Sequence, residues 1–447
     1  MHSTLWLGLV CAASLLLVLS GTQGQELAAG WSKAHADLRN SNVHPTARAI
    51  RSLANTEFVV LLSEDWENAG AAHDQQGNSY FPANFTLYQL DREGEWTPGR
   101  LETEYHYGVP TVTDAGKVVV LSEHSVEVFD LASQTSIETG WDTIDWSLYG
   151  SSALVVDGLI YVLNSDGEMM VFDFDLNLQA FNNASRYWDA LDNYVEFCTP
   201  ATDGQGNFYF FTDWNDPGVV FALHFPENEL LWSRSMAELD PLSSLDGYEI
   251  GGSPSLSEDG TRLFVTLIDG GVVALDTTNG DVVWATAITD LEDGAYHAEN
   301  LVPTASPVDG AIITHWLDLQ TESLVVVGLD PQTGEKVRFL RAFQGSTGDA
   351  LSPGAVSADG VYYLSVFDRI VAVDLESFEV LWHFNETEAV YDQSISIAGD
   401  GSVYFPLNWE SMAVLRCKEN YALDAAGACV LRDNSPGTRL QASWFFI

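Results

Sequence analysis

Short apolar runs separated by Asp-Gly pairs recur along most of the chain. The clearest copy holds Ser253-Pro254-Ser255-Leu256, Asp259-Gly260, Leu263-Phe264-Val265, Gly271-Val272-Val273-Ala274-Leu275-Asp276, Gly280 and Trp284. Its Asp-Gly pair returns at Asp157-Gly158, Asp309-Gly310, Asp359-Gly360 and Asp400-Gly401. Looser forms are Asp114-Ala115-Gly116 and Asp203-Gly204-Gln205-Gly206. Each lies between two runs of strand length, the pattern of a tight β-hairpin. A second column is an apolar strand ending in Asp: Asp91, Asp130, Asp173, Asp276, Asp330 and Asp374, with His224 in one copy. Eight residues further on stand Trp232, Trp284 and Trp382. Phe181 has that spacing in another copy, and Glu138 and Arg338 break the column.

Each copy reads as a four-stranded sheet. The Asp after the third strand is placed to accept N–H groups of the next turn, with Gly four residues later supplying positive φ. A Trp on the outer strand is large enough to fill the gap to the next sheet. One twisted sheet cannot bury both faces alone, so the copies stack radially and close. The fold class is all-β, a single β-propeller. The copies are residues 57–100, 109–142, 151–183, 199–236, 253–288, 302–343 and 352–384, with a partial eighth from Ser394. That gives eight four-stranded blades, with seven as the alternative. In the eighth, the third strand is either Ala413-Val414-Leu415, with Arg416 replacing Asp, or Ala422-Leu423-Asp424. Repeats then fill residues 51–416. Residues 25–50, and 31–48 within them, are a candidate ring-closing strand, since an open edge is a liability. The apolar end Trp444-Phe445-Phe446-Ile447 is the other candidate. Residues 26–39 read as a short helix or an edge segment. Residues 417–447 form a C-terminal loop and tail that either stands apart or joins the last blade.

Composition narrows the compartment and the partners. The 447 residues include 64 acids and 18 bases, a net charge of −46, yet 46% are hydrophobic. That is too apolar for a disordered acidic polymer. The charge argues against nucleic acid and anionic lipid, and favours cations, polycations or neutral ligands. The apolar run over residues 5–19, followed by Ser20-Gly21-Thr22-Gln23-Gly24, reads as a secretory signal spanning residues 1–24. No membrane span is expected in the mature chain, and the expected location is secreted, extracellular or another oxidising exported compartment. Cys417 and Cys429 close a short loop and are the expected disulfide, leaving Cys198 as a buried thiol. Asn84, Asn183 and Asn385 stand in sequons and are candidate glycosylation sites.

The segment Ala274-Leu275-Asp276-Thr277-Thr278-Asn279-Gly280-Asp281-Val282-Val283-Trp284 resembles the repeat of the pyrroloquinoline-quinone-like β-propellers. Gly328-Leu329-Asp330-Pro331-Gln332-Thr333-Gly334 is similar, as are Ala372-Val373-Asp374 with Leu381-Trp382. So is the start, Trp31-Ser32-Lys33 through Asp37-Leu38-Arg39-Asn40. The resemblance covers nearly the whole mature chain and implies eight blades. The family includes quinoprotein dehydrogenases, the propeller subunit of the bacterial outer-membrane-protein assembly machinery, and many binding proteins. Its dehydrogenases hold the quinone above the channel, usually with calcium and often beside a disulfide between adjacent cysteines. No adjacent cysteine pair occurs here, and a chain with 18 bases is a poor host for three carboxylates. No cofactor is expected: calcium stays open and pyrroloquinoline quinone is disfavoured. Asp173-Phe174-Asp175-Leu176-Asn177 begins like a calcium loop but lacks its Gly and closing Glu, and reads as the repeat Asp. Phosphate-loop, zincin, nucleophile-elbow and Cys-x-x-Cys motifs are absent.

The connectors between copies carry the remaining chemistry. In a propeller they emerge on one face, and here they repeat tyrosines beside carboxylates. The candidate binding residues are Tyr105, His106, Tyr194, Glu196, Tyr248 and Glu249. Further round the ring they are Tyr296, His297, Glu299, Tyr391 and Asp392. Aromatic faces beside carboxylates suit sugars, and the same rim suits cations. A Tyr at each inner strand is also a plain packing position. The expected function is a secreted, non-enzymatic binding or scaffold propeller. Its acidic, aromatic face would meet an extracellular protein, glycan or cation. The alternative is an enzyme on that face, either a quinoprotein-type oxidoreductase or a sugar-acting hydrolase or lyase. No residue is singled out as catalytic.

Overall fold

A computed structural model describes residues 33, 36–62, 70–102 without 84 and 92–94, 108–139 without 123, and 152–183 without 166. It further describes 198–238 without 213–217, 226 and 228, and 249–297 without 291–295. The remainder are 301–344, 353–385 without 367–368, 394–407 and 411–432. The architecture is an eight-bladed β-propeller of four-stranded antiparallel sheets. Blade 5 shows the plan: Ser255–Leu256, Arg262–Leu267, Gly271–Asp276 and Val282–Ala287 pair in sequence order from the axis outward. Blades 1 to 7 span 72–100, 111–138, 154–183, 201–235, 255–287, 304–344 and 355–385. A short extra strand, Tyr296–His297, extends blade 6.

Blade 8 takes three strands from residues 396–417 and its outer strand from Thr56–Leu62, which pairs antiparallel with Ser411–Cys417. The ring is thus closed by residues 56–62, downstream of the 25–50 segment read as the candidate closing strand. The opening strand of the first sequence copy belongs to the last blade. Arg416 stands in the Asp column, and Tyr421–Leu423 with Cys429–Leu431 forms a separate two-stranded hairpin. The hairpin carries the expected disulfide, Cys417–Cys429. Cys198 is buried and outside any disulfide. Among the described residues no helix is long and apolar enough to cross a membrane.

The two sequence columns have the anticipated chemistry. Asp330 Oδ1 accepts the amides of Gln332 and Thr333, both at 2.9 Å, and Gly334 follows with φ 73°. These bonds hold the Asp330 carboxyl below its usual range. The tryptophans sit in cross-strand rows: Tyr209–Ala222–Trp232, Phe264–Ala274–Trp284 and Tyr363–Ala372–Trp382. The small Ala leaves room for the indole beside the aromatic, with centroids 5.8–6.1 Å apart. Each indole N–H then reaches past its own blade, to Thr277 O (2.8 Å), Pro331 O (3.0 Å) and Ile50 O (2.8 Å). The turn it lies on must be glycine: a Cβ on Gly280 or Gly334 would stand 2.6 Å from the Trp232 or Trp284 ring.

Two column assignments change. In blade 3 the turn is one residue shorter: Asp173 N donates to Asn177 O, where Asp276 N donates to Asp281 O. The row therefore ends on Ala180, and Phe181 faces the other way and is 45% exposed. In blade 2 it ends on Ile137 rather than Glu138. Arg338 does occupy the row in blade 6, and it substitutes for the indole: Nη1 donates to Glu376 O of blade 7 and Nη2 pairs with Asp309 at 2.7 Å.

Candidate functional site

Inner strands present a free edge to the propeller axis. The segment of residues 36–51 uses that edge in several blades at once. Thr202 N of blade 4 donates to Leu38 O (2.8 Å), and Leu256 N of blade 5 donates to Arg39 O (2.9 Å). Val356 of blade 7 bonds Asn42 and His44, and Val43 bridges Val356 in parallel. A segment touching the inner edges of blades 4, 5 and 7 in chain order follows an arc along the axis side of the ring. Its contacts with Glu258 O and Asp359 Oδ1 put it at the end of the blades that carries the Asp-Gly turns. This strap lines the axis side of blades 4 to 7 there.

Its polar side chains are buried and engaged. Asn40 Nδ2 donates to Thr199 O (2.7 Å) and Pro254 O (2.9 Å), while its Oδ1 accepts from Lys33 Nζ (2.8 Å). Asn42 Nδ2 donates to Thr304 Oγ1 (3.3 Å), reaching blade 6. Burial lowers the Lys33 pKa to about 7 against the pull of Asp37. His44 Nδ1 accepts the amides of Thr46 (3.1 Å) and Ala47 (2.7 Å), and burial lowers its pKa to about 4. Around the axis, hydroxyls stitch blade to blade: Ser152 Oγ donates to Val109 O, Ser152 N to Thr199 Oγ1, and Thr199 N to Ser253 Oγ. At the closing junction His73 of blade 1 bridges Ser79 Oγ (2.9 Å) and Ser396 Oγ of blade 8 (3.0 Å). Burial, then nearby His44, lowers its pKa to about 3. These lining groups are bonded to the protein itself.

The opposite end is where outer strands hand over to the next inner strand. The eight handover segments, 63–70, 101–110, 139–152, 184–199, 236–252, 288–303, 345–354 and 386–395, hold 22 acids and one base, Arg186. At the turn end, bases answer the acids: Arg51 with Asp359 (3.5 Å) and Asp374 (3.3 Å), Arg262 with Asp276 (3.6 Å), and Lys117 with Asp130. The segments that link the blades are thus acidic with almost no base.

Of the candidate rim residues, Tyr105, His106, Tyr194, Glu196, Tyr248, Glu299, Tyr391 and Asp392 lie outside the described residues. Glu249 is exposed and precedes blade 5. Tyr296 and His297 pair with Asp318 and Leu317 of blade 6. Tyr296 is 3% exposed and its hydroxyl accepts from Arg341, which pairs with the fully buried Asp318 at 3.2 Å. Tyr296 is thus a packing residue, and His297 beside it is half-buried. Asn183 and Asn385 end the outer strands of blades 3 and 7, and Asn84 lies outside the described residues. Sequence reasoning missed the strap residues Lys33, Asn40, Asn42 and His44. The available signal was Asn40-Ser41-Asn42: both asparagines take positive φ (54° and 53°), which Asn tolerates.

The one disulfide sits beside the strap at the turn end of blade 8, and no group of three His, Cys, Asp or Glu is assembled for an ion among the described residues. Lys33 is already bonded to Asn40.

No family model matches the chain, and no curated protein sequence does. Solved structures match its fold. A europium-containing methanol dehydrogenase has 12% identity and a TM-score of 0.64, over 88% of this chain and 91% of that one. The quinohemoprotein alcohol dehydrogenase from Comamonas testosteroni has 12% identity and 0.65, over 94% and 83%. BamB from Moraxella catarrhalis has 14% identity and 0.57, over 80% and 100%. The chain therefore has the eight-bladed propeller fold of the quinoprotein dehydrogenases and of BamB. At these identities the likeness is one of fold.

Proposed function

We propose that the protein is an exported, non-enzymatic binding or scaffold propeller that meets its ligand at the handover end. One observation carries this reading. The strap occupies the turn end, where bases also answer the acids, and the segments that link one blade to the next carry 22 acids with one base. Such a face attracts cations and basic protein surfaces and repels polyanions. Tyrosines of the linking segments would add platforms for neutral glycans. The disulfide suits an oxidising compartment. The enzyme alternative draws on the dehydrogenase fold alone.

The test is a thermal-shift screen of the mature chain with calcium, a lysine-rich peptide and a panel of neutral glycans. A parallel dye-reduction assay uses pyrroloquinoline quinone plus calcium with alcohols and sugars. A ligand that binds only the folded state raises the melting temperature. We expect such a rise, lost when the handover carboxylates are neutralised, and no dye reduction. Quinone-dependent turnover would replace this reading with an oxidoreductase.

A further inference from the structure

The hairpin of residues 421–431 belongs to no blade. It forms its own two-stranded sheet. An isolated hairpin of that size is marginal in water, so something must hold it and something must be held by it. Its partners lie in the strap and the start of the closing strand. Arg51 N donates to Gly427 O at 2.8 Å, Lys418 N donates to Asn55 O at 2.9 Å, and Asn55 Nδ2 donates to Cys429 O at 3.1 Å. Gly427 has φ 75°, and a Cβ there would stand 2.7 Å from Ala49 O. A Cβ on Gly401 would meet Arg48 O and Leu423 Cδ2, both at 2.6 Å. Residues 48–55 are thus enclosed between blade 8 and the hairpin. Cys417, at the end of blade 8's third strand, stands opposite Thr56, the first residue of the closing strand. Its bond to Cys429 ties the hairpin down over the strap.

The geometry points to a latch: we propose that the Cys417–Cys429 disulfide secures the carboxyl end of the strap, so that oxidation fixes residues 48–55 in place and a dithiol reductant loosens them. The exchange balances. A thiolate of the dithiol attacks one sulfur and expels the other as a thiolate, which takes up a proton. The second thiol then closes the reductant's own disulfide and frees the remaining cysteine. Cys417 is half-buried and Cys429 is 2% exposed. With the hairpin freed, Arg51 N and Asn55 lose the partners named above. The inner part of the strap keeps its bonds to blades 4 to 7, so release begins at residues 48–55 and the blades stay assembled. This goes beyond the binding reading and does not depend on it.

The test is hydrogen exchange of the mature chain in three forms: oxidised, reduced after folding with dithiothreitol, and the C417S/C429S variant. Exchange of amides in 48–56 should rise by about tenfold or more in the last two forms, with blades 3 to 5 unchanged. A second readout places a cysteine at Ala49, which is fully buried with its carbonyl against Gly427. A49C should react with a maleimide faster in the C417S/C429S background than in the chain that keeps its disulfide. Two results overturn the proposal: faster exchange confined to 418–431 with 48–56 unchanged, or loss of protection across all blades together. The first makes the disulfide a staple for the hairpin alone, and the second a global one. Dithiothreitol on the folded protein keeps the test decisive if the serine variant does not fold.

Discussion

Acid should loosen this ring at its closing junction before it reaches the turn carboxylates. His73 and His44 have pKa values of about 3 and about 4 in the folded chain, against about 6.5 when unfolded. Between those values the unfolded chain binds protons that the folded chain refuses, so stability falls as pH falls from 6.5. From pH 7 to pH 5 each imidazole contributes a loss of about 2 kcal/mol. Together they remove about 4 kcal/mol, a large fraction of a typical stability of about 5–15 kcal/mol. The structural cause is specific. Protonated His44 no longer accepts the amides of Thr46 and Ala47. Charged His73 sits between two serine hydroxyls with 1% exposure. Asp130, Asp173, Asp259 and Asp330, whose turn bonds lower their pKa values, lose stability only below the carboxylate range, so histidine dominates from pH 7 to 5, with Lys33 completing its protonation near pH 7 and adding a smaller loss. The assay is urea denaturation followed by tryptophan fluorescence at pH 7, 6 and 5. H73Q should remove about half of the slope. A wild-type stability that stays flat from pH 7 to 5, or the same slope in H73Q, would refute the reasoning.

Other expectations follow from the blade junctions. Trp284→Ala removes a buried indole and its bond to Pro331 O, and should cost about 3–5 kcal/mol in chemical denaturation. Gly334→Ala should destabilise more than Gly310→Ala, read from melting temperatures. Both have positive φ, but only Gly334 places a Cβ 2.6 Å from Trp284, while Gly310 has open space. Lys117→Met should raise the Asp130 pKa toward the ordinary carboxylate range, since the Lys117 hydrogen bond is the first cause of its depression. Carboxyl chemical shifts against pH measure this.

The repeat was legible because its punctuation is local. An Asp that binds the amides of the next turn and a Gly at positive φ are set within one hairpin, and the Trp that covers that Gly comes from the preceding blade. Errors arose where counting replaced geometry. Eight residues from Asp173 reach Phe181, but a turn shorter by one residue moves the row to Ala180 and flips Phe181 to the other face. Ring closure was not legible for another reason. Thr56–Leu62 is an ordinary strand, and no local signal says that its partner lies at Ser411–Cys417. The strap was hidden because its bonds run to inner strands more than a hundred residues away. The rim was read as one surface, yet Tyr296 is buried by the short strand it forms on blade 6.

The same rows divide the ring into unequal arcs. Trp232, Trp284 and Trp382 link blade 4 to 5, 5 to 6 and 7 to the residues entering blade 8, while Arg338 links 6 to 7. The strap crosses these same blades from Leu38 to Arg51. In blades 8, 1, 2 and 3 the equivalent positions are Val59, Thr97, Ile137 and Ala180, and none has a side-chain donor that matches the indole. Those junctions rest on apolar packing and on bonds made elsewhere: His73 between blades 8 and 1, Gln75 to Asp114 between 1 and 2, Thr111 and Ser152 between 2 and 3, and Ser152 to Thr199 between 3 and 4. A buried donor on the outer strand adds one more hydrogen bond to the cost of opening each junction that has it. Stability should therefore be uneven, with blades 4 to 8 opening only on global unfolding and blades 1 to 3 opening sub-globally. Native-state hydrogen exchange at rising urea measures it. The inner-strand amides of blades 1 to 3 should merge into one isotherm at lower free energy than those of blades 5 to 7. Ala180→Trp cannot repair the arc alone, because the facing residue is Val171 where the clamped rows have Ala. A180W/V171A should be the better-tolerated form. A single isotherm for all eight blades would mean that packing, and not the clamps, sets the strength of each junction.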